Sequence, residues 1–383
     1  MLGFLLNSDN MTVCPTQDKK DSIVLLCQGL LARETVRIRA VAQVLGKMVS
    51  LFPGEIYGPL HYRQIDCEKT AALRASRGNF DCHMSLSAKA HDELKWWIFS
   101  VNKAHRPLIK PPYSLIITTD ASSNGWGAEC NGTSTGGLWT VFERSHHINY
   151  LEMLAIFFGL KVFASSRSHL HVRVMTDNTT AVSVISHMGS SHSQTCNDLC
   201  KTIWNWCISR NIWLSVAHIP GHQNVYADYE SRKITDTSAE WQLNPNILHS
   251  CLRYLHAAPQ IDLFASRINC QIDCFVSFKP DPEAYAIDAF TLDWGAYNFY
   301  AFPPFSLVSR LLNKIELDGA EGICVLPDWP TQPWYPKARQ LMQTAPIVLK
   351  PSKDLLRLPA KPEVLHPLYS NLQLLVCHLS APD

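Results

Sequence analysis

The feature that most constrains this chain is a run of short apolar segments that end in single carboxylates, separated by longer segments with helical periodicity. Leu115-Ile116-Ile117-Thr118-Thr119 runs into Asp120, and His171 to Thr176 runs into Asp177. Between them, Ile148–163 carries the apolar spacing of a helix, with Glu152 one turn inside it. Alternation of strand and helix patterns is the signature of an α/β sheet. Reading residues 114–232 in this way predicts strands at 114–120, 125–130 and 137–142, then a helix at 148–163 capped by Asn149. A strand at 171–177, helices at 179–185 and 196–209, a strand at 212–218 and a last helix at 224–232 follow. The order βββαβααβα implies a mixed sheet of five strands with helices.

The flanks read differently. Residues 1–18 suggest two strands about a turn at 7–10, residues 19–50 a helical run broken by Pro53-Gly54, and residues 84–102 a helix bearing Trp96 and Trp97. Pro107, Pro111 and Pro112 mark a linker, and a second boundary is expected near 233–245. Beyond it, strands are expected at 261–265, 298–302, 322–327 and 345–350, with an amphipathic helix at 307–317, which suggests a smaller α/β unit.

Composition narrows the class. A hydrophobic content of 46% supports a buried core. No apolar run approaches the roughly 18 residues of a membrane span, and no secretory signal is evident, so an intracellular protein without membrane partners is expected. The thirteen cysteines include no Cys-x-x-Cys pair; they read as reduced small hydrophobes, and neither a disulfide scaffold nor zinc is expected. A net charge of +1 conceals a gradient: residues 1–110 hold 15 Lys+Arg against 10 Asp+Glu, whereas residues 236–383 hold 11 against 15. A basic excess in the first third suits a phosphate backbone.

Asp120, Glu152, Asp177 and Asp228 are each delivered by a different element. Carboxylates crowded at low dielectric repel unless cations neutralise them, and Mg²⁺ takes oxygen ligands. Two such ions about 3.5–4 Å apart can hold both the attacking and the leaving oxygen of a phosphodiester. Convergence of the four would make a nuclease. His218 and His222, upstream of Asp228, could protonate a leaving oxygen or help release product. Asn178 and Asn224 could bond a substrate backbone, or equally cap helices.

These four acids, in this order, resemble the catalytic core of ribonuclease H. His147-Ile148-Asn149-Tyr150-Leu151-Glu152, and the tail from His218 through Gly221-His222-Gln223-Asn224 to Asp228 and Arg232, resemble blocks of retroelement ribonuclease H domains over about residues 113–235. Leu2-Gly3-Phe4 with Asn7 and residues 11–19 are similar to the thumb end of a reverse transcriptase, and the Trp96-Trp97 helix to its connection. Taken together, these segments resemble the tyrosine-recombinase-encoding DIRS-type retrotransposons. In that group a methyltransferase-like segment follows ribonuclease H, and Asp262-Leu263-Phe264 with Phe302-Pro303-Pro304-Phe305 resembles it.

The resemblance implies three regions: a reverse transcriptase thumb and connection remnant at 1–110, a ribonuclease H domain at 113–235 and a methyltransferase-like unit at 245–360. It implies metal-dependent endonucleolytic hydrolysis of the RNA strand of RNA–DNA hybrids, with two Mg²⁺, replaceable by Mn²⁺, on Asp120, Glu152, Asp177 and the more peripheral Asp228. Other parts of a retroelement polyprotein would be partners. The polymerase acids are absent. In adenine-N6 methyltransferases an Asp or Asn stands where this chain has Phe302, so the last unit is expected to be inactive. The alternatives are a host-retained nucleic-acid-binding remnant without catalysis, and a DNA adenine-N6 methyltransferase.

Overall fold

The computed structural model describes residues 3–190, 192–233 and 241–382. Leu2 and most of the boundary expected at 233–245 therefore lie outside the described residues. The chain divides into two compact units, Met1–Ile116 with Arg167–His218, and Ile117–Ser166 with Ile219–Asp383.

In the first unit, β1 (Phe4–Asn7) and β2 (Thr12–Pro15) form the expected hairpin. The helical run expected at 19–50 is two helices, α1 (Gln17–Leu31) and α2 (Ile38–Leu51). Between them Val36 and Arg37 pair with Met84 and His83 as a short strand. Apolar spacing continues across the break, which is why periodicity alone does not reveal it. α3 (Arg63–Ala75) buries only Ile65 and is polar over most of its length. The Trp96-Trp97 helix is α4 (Ala88–Ser100), which starts where the Ser87 hydroxyl accepts the Ala90 N–H. Ile23, Val41, Met48, Leu51, Leu94 and Trp97 are the centre of this core.

The central segment contains β3 (Leu115–Ala121), β4 (Gly125–Cys130), β5 (Thr133–Leu138), α5 (Val141–Arg144), α6 (Ile148–Ala164), β6 (Leu170–Thr176), α7 (Thr179–Ser186), α8 (Gln194–Ile208), β7 (Ile212–His218) and α9 (Val225–Arg232). The five strands form one mixed sheet in the order β7-β6-β3-β4-β5, as the sequence pattern predicts. β6 and β7 run parallel, and β3, β4 and β5 antiparallel. Asn131 and Gly132 both take positive φ, 51° and 80°, so a two-residue turn joins β4 to β5.

That turn moves the third strand to 133–138, not 137–142. The residues after it coil into α5, because Thr140 and Glu143 form a reciprocal capping box. α6 is capped by the His147 side chain, which accepts the Asn149 N–H; Asn149 is inside the helix. Nearly every side of α6 is apolar and buried, as befits a helix covered all round.

In the second unit the last segment forms α10 (Pro245–Tyr254), β8 (Ile261–Asp262), β9 (Phe299–Ala301), α11 (Val308–Leu317), β10 (Glu321–Pro327), α12 (Tyr335–Leu341), β11 (Ile347–Leu349) and β12 (Leu374–Ser380). The strand order is β8-β9-β10-β12-β11. β8 is much shorter than the expected 261–265, since the chain turns after Asp262. Alternate residues of β10 serve two cores: Cys324 and Leu326 face α11 and α12, while Ile323 and Val325 face the side of α10. No helix among the described residues is long and apolar enough to cross a membrane.

Candidate metal centre

Asp120 is the sixth residue of β3 and pairs with Gly127 on β4. The strand's alternation brings Leu115, Ile117 and Thr119 to buried positions, and Asp120 too is only 3% exposed. Glu152, in the second turn of α6, is 4% exposed. α6 approaches β3 closely through Gly159, where an added Cβ would stand 3.0 Å from the Thr119 side chain. Asp177 follows the last residue of β6 and is exposed.

Carboxylate oxygens of Asp120, Glu152 and Asp177 all lie within 4.8 Å of one another. Two of the three are buried, so mutual repulsion is not relieved by water. An all-oxygen set of this kind fits a hard divalent cation. Three of the four acids expected to hold metal, Asp120, Glu152 and Asp177, are thus brought together.

Asp228 is not in that group. It lies in the first turn of α9, where its carboxylate meets Arg232 at 2.5 Å on a half-exposed face. α9 rests directly on β4, because a Cβ at Gly127 would come within 2.1 Å of the Ala227 carbonyl. Another residue of α9 serves Asp120: the Ser231 hydroxyl donates to its Oδ2 at 2.5 Å. Asn224, 2% exposed, donates to the Thr119 carbonyl at 2.9 Å. Nothing local in Glu230-Ser231-Arg232 distinguishes the Ser231 hydroxyl from a solvated one, so the sequence carries no signal for its role.

His218 ends β7 exposed, in register with Thr176, the residue before Asp177. His222 lies in the exposed turn before α9. The Asn178 side chain accepts the Ala181 N–H and so starts α7.

Asp262 and Phe302 flank the ends of the parallel strands β8 and β9, where open α/β sheets take ligands. Asp262 is 2% exposed and pairs in register with Tyr300, and its carboxylate accepts the N–H groups of Phe264 and Gln271. Pro303 and Pro304 lead into a single 3₁₀ turn that starts at Phe305. The space lined by Asp262, Tyr300 and Phe302 has a volume of about 10 Å³, roughly that of one water. A larger cleft of about 200 Å³ in the first unit, lined by Arg63, Lys89, Glu93 and Lys201 among others, includes none of the expected carboxylates.

Residues 119–233 match the family model described as "Reverse transcriptase-like". The "Enzymatic polyprotein" of cauliflower mosaic virus, strain CM-1841, is 31% identical over 157 residues, covering 35% of this chain and 21% of the relative. The strain D/H protein is 31% identical over 151 residues, covering 34% and 20%. The chain spans about a fifth of the length of these relatives. Among solved structures, RNase H1 from Halobacterium salinarum has 13% identity and a TM-score of 0.27, covering 30% of this chain and 92% of that one. LC11-RNase H1 in complex with an RNA/DNA hybrid has 20% identity and a TM-score of 0.26, covering 30% and 93%. The foamy viral protease-reverse transcriptase in complex with an RNA/DNA hybrid has 12% identity and a TM-score of 0.24, covering 63% and 33%. Residues 119–233 are a reverse transcriptase-like domain, and the chain is similar to viral enzymatic polyproteins.

Proposed function

We propose that residues 113–235 hydrolyse the RNA strand of RNA–DNA hybrids with divalent cations held by Asp120, Glu152 and Asp177. The observation that carries this reading is the convergence of those three carboxylates inside a reverse transcriptase-like domain. Two Mg²⁺, or Mn²⁺ in their place, would supply an activated water and neutralise charge on the leaving oxygen.

The chain's own residues provide the rest. Ser231 and Asn224 hold α9 against β3, so the Asp120 carboxylate is aimed before any cation arrives. Asp228 is the peripheral acid, and His218, exposed at the end of β7, moves the proton in this reading. Asn178, partly exposed at the start of α7, contacts the substrate backbone; Asn224 acts through Thr119. Selectivity for a hybrid comes from 2′-hydroxyl contacts across its shallow groove.

In this reading residues 1–110 are the end of a reverse transcriptase and add basic surface, and the chain is part of a DIRS-type retroelement polyprotein. Residues 245–360 are a methyltransferase-like unit without methyl transfer, because Phe302 stands where an Asp or Asn would accept a hydrogen bond from the target amine. The test is cleavage of an end-labelled RNA–DNA hybrid by the purified chain with Mg²⁺ or Mn²⁺. RNA-strand cleavage that vanishes in Asp120→Asn supports the reading; hybrid binding without cleavage under either ion overturns it in favour of a non-catalytic nucleic-acid-binding protein.

A further inference from the structure

Within the second unit, the loop that follows β8 reaches back to the elements that carry Glu152 and Asp228. The Arg267 guanidinium, 5% exposed, makes a paired contact with Glu143, Nη1 to Oε1 at 2.9 Å and Nη2 to Oε2 at 2.7 Å. Its Nη2 also donates to the Leu138 carbonyl at the end of β5, 3.0 Å away. The same guanidinium lies 4.6 Å from the centre of the Phe158 ring on α6.

Glu143 already closes the capping box of α5 by accepting the Thr140 N–H. Arg267 therefore grips α6 at both ends of the stretch that contains Glu152: through α5 before it and through Phe158 after it. Asp281 accepts the Arg267 backbone N–H at 3.1 Å, which fixes the loop that presents the guanidinium.

Three more contacts join the same loop to the same surface. The Thr135 hydroxyl on β5 donates to the Pro280 carbonyl at 2.5 Å. Lys279 meets Glu230 at 3.5 Å, and Glu230 is on α9 between Asp228 and Ser231. Lys161 on α6 meets Glu283 at 3.5 Å. β5 ends the five-stranded sheet, an edge that would otherwise be open to pairing.

We propose that the loop 267–283 is a built-in brace for the carboxylate site, with Arg267 as the positioning residue for α5 and α6 and Lys279 for α9. The last α/β unit then persists as a scaffold for the neighbouring site and has no need of chemistry of its own. The functional consequence rests on the nuclease reading; the brace itself does not.

The test uses the full chain carrying Arg267→Met, Arg267→Lys or Lys279→Met. Two readouts are taken: hydrogen exchange over 139–153 and 225–233, and Mn²⁺ affinity by calorimetry. Removing a group that orients a metal-holding residue lowers metal affinity by about 10- to 100-fold. Arg267→Met is expected to bind Mn²⁺ at least about tenfold more weakly and to lose protection over 139–153 while α11 and α12 keep theirs. Arg267→Lys restores the charge but not the paired contact and should recover only part of the affinity. Lys279→Met, at a position 38% exposed, keeps the fold and should raise exchange over 225–233 alone.

Unchanged exchange and unchanged Mn²⁺ affinity in folded Arg267→Met would overturn the proposal. If Arg267→Met does not fold, Lys279→Met decides, and an unaltered α9 there overturns it. A wild-type chain that binds Mn²⁺ but cleaves no hybrid would sink the nuclease reading and leave the brace intact.

Discussion

Ser231 donates its hydroxyl to Asp120 across 2.5 Å, and its own carbonyl accepts the Ser122 hydroxyl at 2.6 Å. One residue, through its hydroxyl and its backbone carbonyl, thus ties α9 to both the acid and the end of β3. The same oxygen lies 2.9 Å from the Asp228 carbonyl, but a hydroxyl has a single proton and the carboxylate is the stronger acceptor. Ser231→Ala leaves the Asp120 carboxylate buried with one donor fewer. Stability is expected to fall by about 1–3 kcal/mol and Mn²⁺ affinity by about tenfold, read by urea unfolding and calorimetry. A stability loss with unchanged affinity would reduce Ser231 to a helix tie.

Asp120→Asn keeps the shape and removes one charge from the three-carboxylate group. Without metal the variant is expected to be the more stable, because repulsion between buried acids is relieved. With metal the order reverses. A ligand at 100 times its dissociation constant adds about 2.7 kcal/mol to the native state, and only the wild type should gain it. Thermal unfolding with and without Mg²⁺ checks both halves. A variant that gains as much as the wild type would place the cation elsewhere.

Much of this site is legible in the sequence because each acid ends or begins an element whose period is plain. Leu115 to Thr119 alternates into the core, so Asp120 has to emerge where β3 ends. What lies outside local pattern is lost. Arg267 and Glu143 are 124 residues apart, and no spacing links them. β12 (Leu374–Ser380) opens on a continuous apolar run, Leu374 to Cys377, since both faces are covered there, and such runs carry no period. The Asn149 cap fails for a local reason: His147 offers a ring nitrogen two residues earlier, and pattern cannot choose between them.

Trp97 is the anchor of the first unit. It is fully buried, its Nε1 donates to the His61 carbonyl at 2.8 Å, and its ring stacks on Phe52 at 6.4 Å. Trp97→Ala is expected to cost about 3–5 kcal/mol through the cavity left behind. Trp97→Phe keeps most of the volume but leaves the His61 carbonyl without this donor, at about 1–3 kcal/mol. Urea midpoints of the two variants separate packing from hydrogen bonding; equal losses would show that the indole N–H dominates.

Asp262 makes stability depend on pH with a sign unusual for a carboxylate. Burial pushes its carboxyl up to about 7, against the pull of the N–H groups of Gln271 and Phe264. Tyr300 and Cys270 face it, and both are themselves raised by burial first, with the Asp262 charge adding to it. The native state therefore holds a proton that the unfolded chain gives up near pH 4. The contribution is full below that value and is lost as pH rises to about 7. The shift corresponds to something on the order of 4 kcal/mol. Asp262→Asn should lose far less stability than the wild type between pH 5 and pH 8 in urea unfolding. Parallel losses would mean that Asp262 is charged throughout.

Arg232 competes with any cation for Asp228. The pair is close, 2.5 Å, but both side chains are substantially exposed, at 67% and 40%. Exposed ion pairs are worth about 0.2–1 kcal/mol, so Arg232 parks Asp228 without locking it. Arg232→Ala is expected to tighten Mn²⁺ binding by no more than about fivefold, the equivalent of that energy. Asp228→Asn should weaken binding far less than Asp120→Asn, because the three-carboxylate group is complete without it. The comparison ranks Asp228 against Asp120 directly. If Asp228→Asn and Asp120→Asn cost the same affinity, Asp228 must leave Arg232 and join the metal set when the cation binds, and Arg232→Ala should then show the larger gain.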